Sequence, residues 1–406
     1  MFFLLLKKLT SLTWIISHTF KYPAPKNLNY FWTFGSLLSV CLVIQIVTGF
    51  FLSIFYKPSV LEAFSSIENF VRDVDKGWLV RYLHSNGASF FFLCSYVHIA
   101  KGIYYQSFKK KKLWFSGLTI FILLMAEAFT GYVLPWGQMS FWAATVITNF
   151  FSIVPFIGSY ITEFLWGGFS VNETTLKRFF SIHFILGFFI GALVFAHLII
   201  LHDKGSSSSG NENIHSKINF LSLYGEEIIF AVYIFLTFLL ITSCFRPNFC
   251  MHPANYEQAN PLSTPPHIVP EWYFLPFYTI LRIIPDKTYG VLLMGLSLVI
   301  LFFIPFYGIE TFRKKKSWKF FFWTFISNFF ILGYLGSCEA EPLYIFYGQL
   351  SAFYYFFFIG IFLPFYQTEH YEQLERFLVY LLLSFLRILG IIFILAYLVF
   401  WFVVLR

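Results

Sequence analysis

The chain has 406 residues, of which 58% are hydrophobic and only 12% charged, with a formal net charge of +8; ordinary soluble domains carry about a quarter charged residues. With a mean hydropathy of +0.71 it belongs in a bilayer. That excludes a soluble enzyme, and a nucleic-acid reading of the basic balance lacks a soluble domain to support it.

In chain order, apolar runs long enough to cross about 30 Å of hydrocarbon as helices predict spans near 32–55, 78–104, 114–134, 179–201, 227–245, 288–308, 319–337, 346–365 and 378–405. The last contains Arg387, but 388–405 alone is long enough to span and is apolar all round, and the arginine can snorkel. Lys7 and Lys8, the run Lys109 to Lys112, and Arg313 to Lys316 with Lys319 fall before the first span, after the second and after the sixth. Alternating topology puts all three on one side, the side of synthesis, so the positive charge is mostly topological. Met1 to Leu6 carries its charge after the apolar stretch and does not read as a secretory signal peptide. Gly205 to Gly210 reads as a flexible loop on the basic side. Cys41, Cys94, Cys244, Cys250 and Cys338 show no C-x-x-C spacing and read as small buried apolar residues. The expected fold is an all-α integral membrane protein with eight transmembrane helices plus a ninth at the C-terminus.

Four histidines fall as two pairs on the second and fourth spans, His84 with His98 and His183 with His197, each fourteen residues apart. Fourteen residues are almost four helical turns, so each pair shares a helix face about 21 Å apart along the axis. The two spans cross in the same direction, which sets His84 level with His183 and His98 level with His197. One intramembrane histidine is explained equally well by an interhelical hydrogen bond. Two matched pairs offer two imidazoles at each of two depths, the axial set of a six-coordinate haem iron. The first four spans then form a di-haem four-helix bundle.

Glycines repeat the spacing: Gly35 and Gly49 on the first span, Gly117 and Gly131 on the third. Small-residue helix packing explains single glycines; four on the histidine spacing suggest room for a porphyrin edge. Arg81, Arg178 and Lys101 stand near the histidines, where they can pair with propionates or anchor at the interface.

The strings Arg81-Tyr-Leu-His-Ser-Asn-Gly-Ala-Ser89, Gly131-Tyr-Val-Leu-Pro-Trp-Gly-Gln-Met139, Phe180 to His183, and Pro270-Glu-Trp-Tyr273 with Leu281-Arg-Ile-Ile-Pro285 behind it resemble the cytochrome b family of respiratory complex III, the ubiquinol–cytochrome c oxidoreductases, over roughly residues 20–366. The photosynthetic relative splits the chain after four helices and spaces its second histidine pair one residue wider, so this chain resembles the respiratory branch.

The resemblance implies two b-type haems without covalent attachment, and ubiquinol oxidation near His84 and His183 on the side away from the lysine-rich loops. Glu271 would accept a quinol proton, with Tyr132 and Tyr278 bordering the pocket and Phe129, Met139, Ala143, Ile147, Pro270 and Phe274 forming its walls; a helix N-terminal position also accounts for Glu271. One electron would pass to a Rieske iron–sulfur protein. The other would pass by the nearer haem to that of His98 and His197, where quinone is reduced on the basic side near His202 and Ser206. The family's aspartate there counts to Ser222; Glu226 or Glu227 can take its place, with Glu227 favoured. Implied partners are a cytochrome c-type haem subunit, other complex III subunits, a second copy in a homodimer and membrane lipids, with no nucleic acid.

Three departures from the family stand out. Ala143 occupies a position that is usually glycine, which should weaken binding of rigid strobilurin-type inhibitors. Gly187 replaces a proline, so any kink there needs another cause. The chain also runs beyond the eighth span. Three regions result: a di-haem bundle over 1–225, C-terminal helices with the oxidation loop over 226–366, and an added segment over 367–406. Two other classes compete. A di-haem anchor of another dehydrogenase needs the histidines but not Pro270-Glu-Trp-Tyr273, and a transporter needs neither histidines nor matched glycines. Fifty-nine phenylalanines suggest an AT-rich gene and the mitochondrial inner membrane, with a bacterial plasma membrane as the alternative.

Overall fold

A computed structural model describes residues 23–207, 217–307 and 316–366; the predicted ninth span and the basic residues Lys7, Lys8 and Arg313 to Lys315 lie outside these. The long helices are α1 (Phe34–Phe55), with the short α2 (Ala63–Asp73) after it, then α3 (Gly77–Tyr104) and α4 (Lys111–Val133). Two short helices, α5 (Gln138–Thr148) and α6 (Gly158–Trp166), lead to α7 (Glu173–Lys204) and α8 (Phe220–Phe245). The C-terminal part holds α9 (Leu275–Arg282), α10 (Lys287–Val299), α11 (Lys316–Ser337) and α12 (Pro342–Phe357). A small antiparallel ribbon, β1 (Pro23–Pro25) with β2 (Lys217–Asn219), ties the start of the described chain to the entry of α8.

Among the described residues, six stretches are long and apolar enough to cross a membrane: Tyr30–Phe55, Lys111–Val133, Glu173–Asp203, Tyr224–Phe245, Ser317–Ser337 and Pro342–Phe362. Helix α3 is not among them although its 28 residues give about 42 Å at about 1.5 Å per residue. Its sequence is diluted by Arg81, His84, Ser85, Asn86, Ser89, Ser95 and His98. Asn86, Ser89 and Ser95 are buried, so this polarity is turned into the protein, where lipid does not meet it. By contrast α7 leaves Ile185, Phe188, Phe189 and Phe195 exposed, as a lipid-facing helix does.

Two predicted spans differ in detail. The sixth keeps α-geometry only to Val299 and continues as tight 3-10 turns over Ile300–Phe302 and Ile304–Phe306, because Pro305 has no N–H to give to the ladder. The eighth passes from α12 into a wide π-turn over Phe358–Phe362, just ahead of Pro364, which likewise cannot donate. Helix α7 runs unbroken past Gly187, so loss of the family proline leaves a continuous helix. It starts at a capping box: the Asn172 side chain accepts from Thr174 N at 2.7 Å, and Thr175 Oγ1 accepts from Asn172 N at 3.1 Å.

The first four long helices pack as two antiparallel pairs, α1 with α3 and α4 with α7, joined through α1 and α7; α8 closes on α3. Buried Cys41 and Cys94 sit in the α1–α3 seam as free thiols. The C-terminal helices gather around α9, with Trp318, Phe358, Ile359 and Phe362 fully enclosed.

Candidate functional site

Each glycine of the fourteen-residue spacing faces one histidine ring. A Cβ on Gly35 would lie 3.4 Å from His98 Cε1, on Gly49 2.9 Å from His84 Cε1, on Gly117 3.2 Å from His197 Cε1, and on Gly131 2.5 Å from His183 Cε1. The pairing follows from antiparallel packing, since a step of fourteen up α1 matches fourteen down α3, and likewise for α4 and α7. These glycines are expected to admit a porphyrin edge. Each also leaves room for the Cε1 edge of an imidazole, which a side chain at that position would block.

Ring nitrogens are sorted by their partners. Thr48 Oγ1 gives its proton to Ile44 O at 2.6 Å and lies 2.9 Å from His84 Nδ1. A hydroxyl has one proton, so toward the imidazole it accepts. Ser116 Oγ repeats this, donating to Leu113 O at 2.9 Å and standing 2.7 Å from His197 Nδ1. His183 Nδ1 lies 3.0 Å from Glu127 O. With Nδ1–H donating, Nε2 of these three rings keeps its lone pair for a metal. His98 Nδ1 is buried without a hydrogen-bond partner.

The His84 and His183 rings stand 6.2 Å apart between centroids, at 85°. That is about the separation of two imidazoles ligating one ion from opposite sides with metal–nitrogen bonds of about 2 Å. His98 and His197 interact electrostatically at the other level. Among the described residues no group of three or more His, Cys, Asp or Glu could hold a bare metal ion. Two opposed imidazoles with glycine backing suit an ion whose remaining ligands come from a planar cofactor.

A cavity of about 270 Å³ is lined by His84, His183, Gly49, Gly131, Arg81, Glu127, Tyr132 and Glu271. A second, of about 540 Å³, is lined by Pro270, Glu271, Trp272, Cys250, Met251 and His252, so Glu271 borders both. Burial pushes the Glu271 carboxyl up to about 7, against the downward pull of Tyr132 and then Arg81. The Tyr132 hydroxyl acts on Glu271 without completing a hydrogen bond.

The turn before α5 fixes the loop that carries Glu271. Gln138 holds it at two points, Nε2 donating to Ser263 O at 3.0 Å and Oε1 accepting from Asn260 N at 2.9 Å. Ala259 N reaches Trp136 O at 3.0 Å, and the Asn255 side chain accepts from Ser140 N at 2.9 Å. Gly137 is required here, because a Cβ would fall 2.3 Å from Asn255 O.

Other predicted site residues are distributed unevenly. Tyr278 donates to Ile268 O at 3.3 Å under the Arg282 guanidinium. Phe129, Met139, Ala143, Ile147 and Phe274 border neither cavity; Met139 and Ala143 are buried, Phe129 packs on Phe179 and Phe274 on Phe92 and Tyr273. Lys101 lies over the Trp32 ring at 4.3 Å. Arg178 is engaged by the ring and carbonyl of Phe164 rather than by the cavity. His202 lies near the end of α7, Ser206 just past it and Glu227 early in α8 with Oε2 buried and unpartnered. Thr48, Ser116 and Glu127 also belong to the site, although the histidine spacing does not mark them. The first two directly precede Gly49 and Gly117, which is the signal that could have found them.

The family described as Cytochrome b/b6/petB matches residues 19–205, and that described as Cytochrome b(C-terminal)/b6/petD matches residues 258–356. The cytochrome b of Acanthamoeba castellanii is 46% identical over 378 residues, 91% of this chain and 98% of that protein. The chain belongs to the cytochrome b family. The cytochrome b of Rickettsia conorii is 48% identical over 366 residues, 86% of this chain and 90% of its own length. Among solved structures, a chain of a hyperthermophilic respiratory complex III superposes with a TM-score of 0.81 at 30% identity, covering 89% of this chain and 98% of that one. Cytochrome b membership brings b-type haem, electron transport and a multi-pass place in the respiratory chain.

Proposed function

We propose that this cytochrome b subunit of respiratory complex III holds two b-type haems, one between His84 and His183 and one between His98 and His197, and oxidises ubiquinol on the Glu271 side while reducing quinone on the other. The observation that carries the reading is the position of Glu271 between two cavities, one containing His84 and His183 and the other opening along Pro270 to Trp272.

When bound, the haems supply one-electron acceptors at two depths. The four imidazoles hold them through Nε2, and Thr48, Ser116 and Glu127 O fix three of those rings by taking Nδ1–H. Gly35, Gly49, Gly117 and Gly131 make room for the Cε1 edges of these rings and for a porphyrin edge. Arg81 lines the cavity wall, where its charge offsets a propionate; Lys101 serves the deeper level, and Arg178, held at Phe164, serves as an interfacial anchor.

Quinol oxidation releases two protons, and Glu271 takes one at its carboxylate. A carboxyl held near 7 is well matched to that task at neutral pH, accepting a proton without keeping it. Tyr132 steadies the carboxylate from α4, while Tyr278 secures the loop at Ile268. Phe129, Met139, Ala143, Ile147 and Phe274 support the walls from behind, and the loop stapled by Gln138 keeps bulk water out. On the far side His202, Ser206 and Glu227 bind quinone, with the unpartnered Glu227 Oε2 as proton donor.

Oxidation on one face and reduction on the other couple electron transfer to proton translocation. The partners are a Rieske iron–sulfur protein, a cytochrome c-type haem subunit, further subunits, a second copy of the chain and lipids, in the mitochondrial inner membrane. Quinol to cytochrome c electron transfer, blocked by both stigmatellin and antimycin, tests the reading. Glu271→Gln should lose about a hundredfold in rate; full activity in that variant contradicts the assignment.

A further inference from the structure

Of the four histidines, His183 alone has an acidic side chain at Nδ1. Glu127 Oε1 lies 3.1 Å from His183 Nδ1, beside the Glu127 carbonyl at 3.0 Å, whereas the side chains at Nδ1 of His84 and His197 are the hydroxyls of Thr48 and Ser116. Glu127 is the single acidic residue of α4 and sits inside its apolar length. An acid at that depth is costly unless it pairs or works. No lysine or arginine pairs with it among the described ion pairs; its recorded partner is the imidazole, and its second oxygen, Oε2, is buried without a hydrogen bond. The space for it comes from Gly187 on the facing helix: a Cβ there would stand 3.2 Å from Glu127 Oε1.

We propose that Glu127 is a positioning residue for His183, sharing its Nδ1–H with the backbone carbonyl, and that it lowers the reduction potential of the haem held by His84 and His183. The proposal rests on the haem reading above. With Nε2 turned to the iron, Nδ1–H is a donor, and a carboxylate acceptor makes the ring a stronger ligand. Ferric iron carries one more positive charge than ferrous iron, so a negative acceptor favours the ferric form. The haem on the oxidation side is thereby made the weaker electron acceptor of the two, and electrons fall from it toward the haem of His98, whose Nδ1 has no acceptor.

The test is a redox titration of the visible haem bands in the assembled complex. Glu127→Gln should shift the ferric to ferrous balance of one haem about tenfold, a rise of about 59 mV for one electron, with the other haem unmoved. Gly187→Ala, which leaves the acid in place and crowds Oε1, should shift the same haem alone; it decides the matter if Glu127→Gln fails to assemble. Unchanged potentials with both haems bound overturn the proposal. Missing b-type bands in the parent complex would instead overturn the haem reading on which it rests.

Discussion

His183 Cε1 lies 2.5 Å from the place a Cβ on Gly131 would occupy, so the imidazole rests directly against the backbone of α4. An aromatic ring held at Nδ1 by Glu127 does not swing aside as a flexible chain end would. The four glycines therefore predict a graded series. Gly131→Ala should be the most damaging, followed by Gly49→Ala and Gly117→Ala, with Gly35→Ala nearly neutral, because its contact of 3.4 Å is ordinary. Overpacking costs about 1–3 kcal/mol, enough to lower haem content in purified membranes. Equal losses at Gly131 and Gly35 would contradict the ring-backing role.

Thr48→Val and Ser116→Ala each remove one acceptor for an imidazole N–H. Loss of such an outer partner typically costs about 10–100-fold in metal affinity. Haem retention on dilution in detergent should fall at the His84 level in the first variant and at the His197 level in the second. A common loss at both levels would show general destabilisation instead.

Glu271 can accept a proton only when ionised, and burial raises its carboxyl from 4.5 to about 7. Its ionised fraction thus falls about tenfold for each pH unit below that value. At saturating quinol the oxidation rate should climb with pH through about 7 and level off above it, while Glu271→Gln should give a low, flat profile. A wild-type rate already level at pH 5 would remove Glu271 from the proton path.

Gln138→Ala deletes both side-chain bonds that hold the oxidation loop. Each is worth about 0.5–1.5 kcal/mol, and the loop should loosen without disturbing the haem spectrum. The expected result is a higher KM for quinol and faster proteolysis within 257–263. An unchanged KM would show that other contacts suffice.

Much of this was legible in the sequence because a membrane makes length and spacing informative. All eight predicted spans that lie within the described residues coincide with helices, the sixth and eighth with irregular ends, and α3 combines an apolar run with polar residues that face inward. The glycine spacing was legible too, but not what it meets: spacing along one helix does not reveal which atom of the partner lies opposite. Thr48 and Ser116 stayed hidden because hydroxyls are common in helices and only a facing ring gives them a task. Arg178 looked like a propionate partner from its distance along the chain, yet the turn at Gly167 brings Phe164 to it first. Irregular ends near Pro305 and Pro364 were marked by proline, although which geometry replaces the α-helix depends on packing.

On the proposed reading two opposed imidazole pairs hold two haems at separate depths. A haem count per chain in the purified complex, wild type against His98→Ala, tests it most directly. Two b-type haems are expected in the wild type and one in the variant, with the survivor still responding to substitution at Thr48. A single haem in the wild type, or both retained without His98, would contradict it.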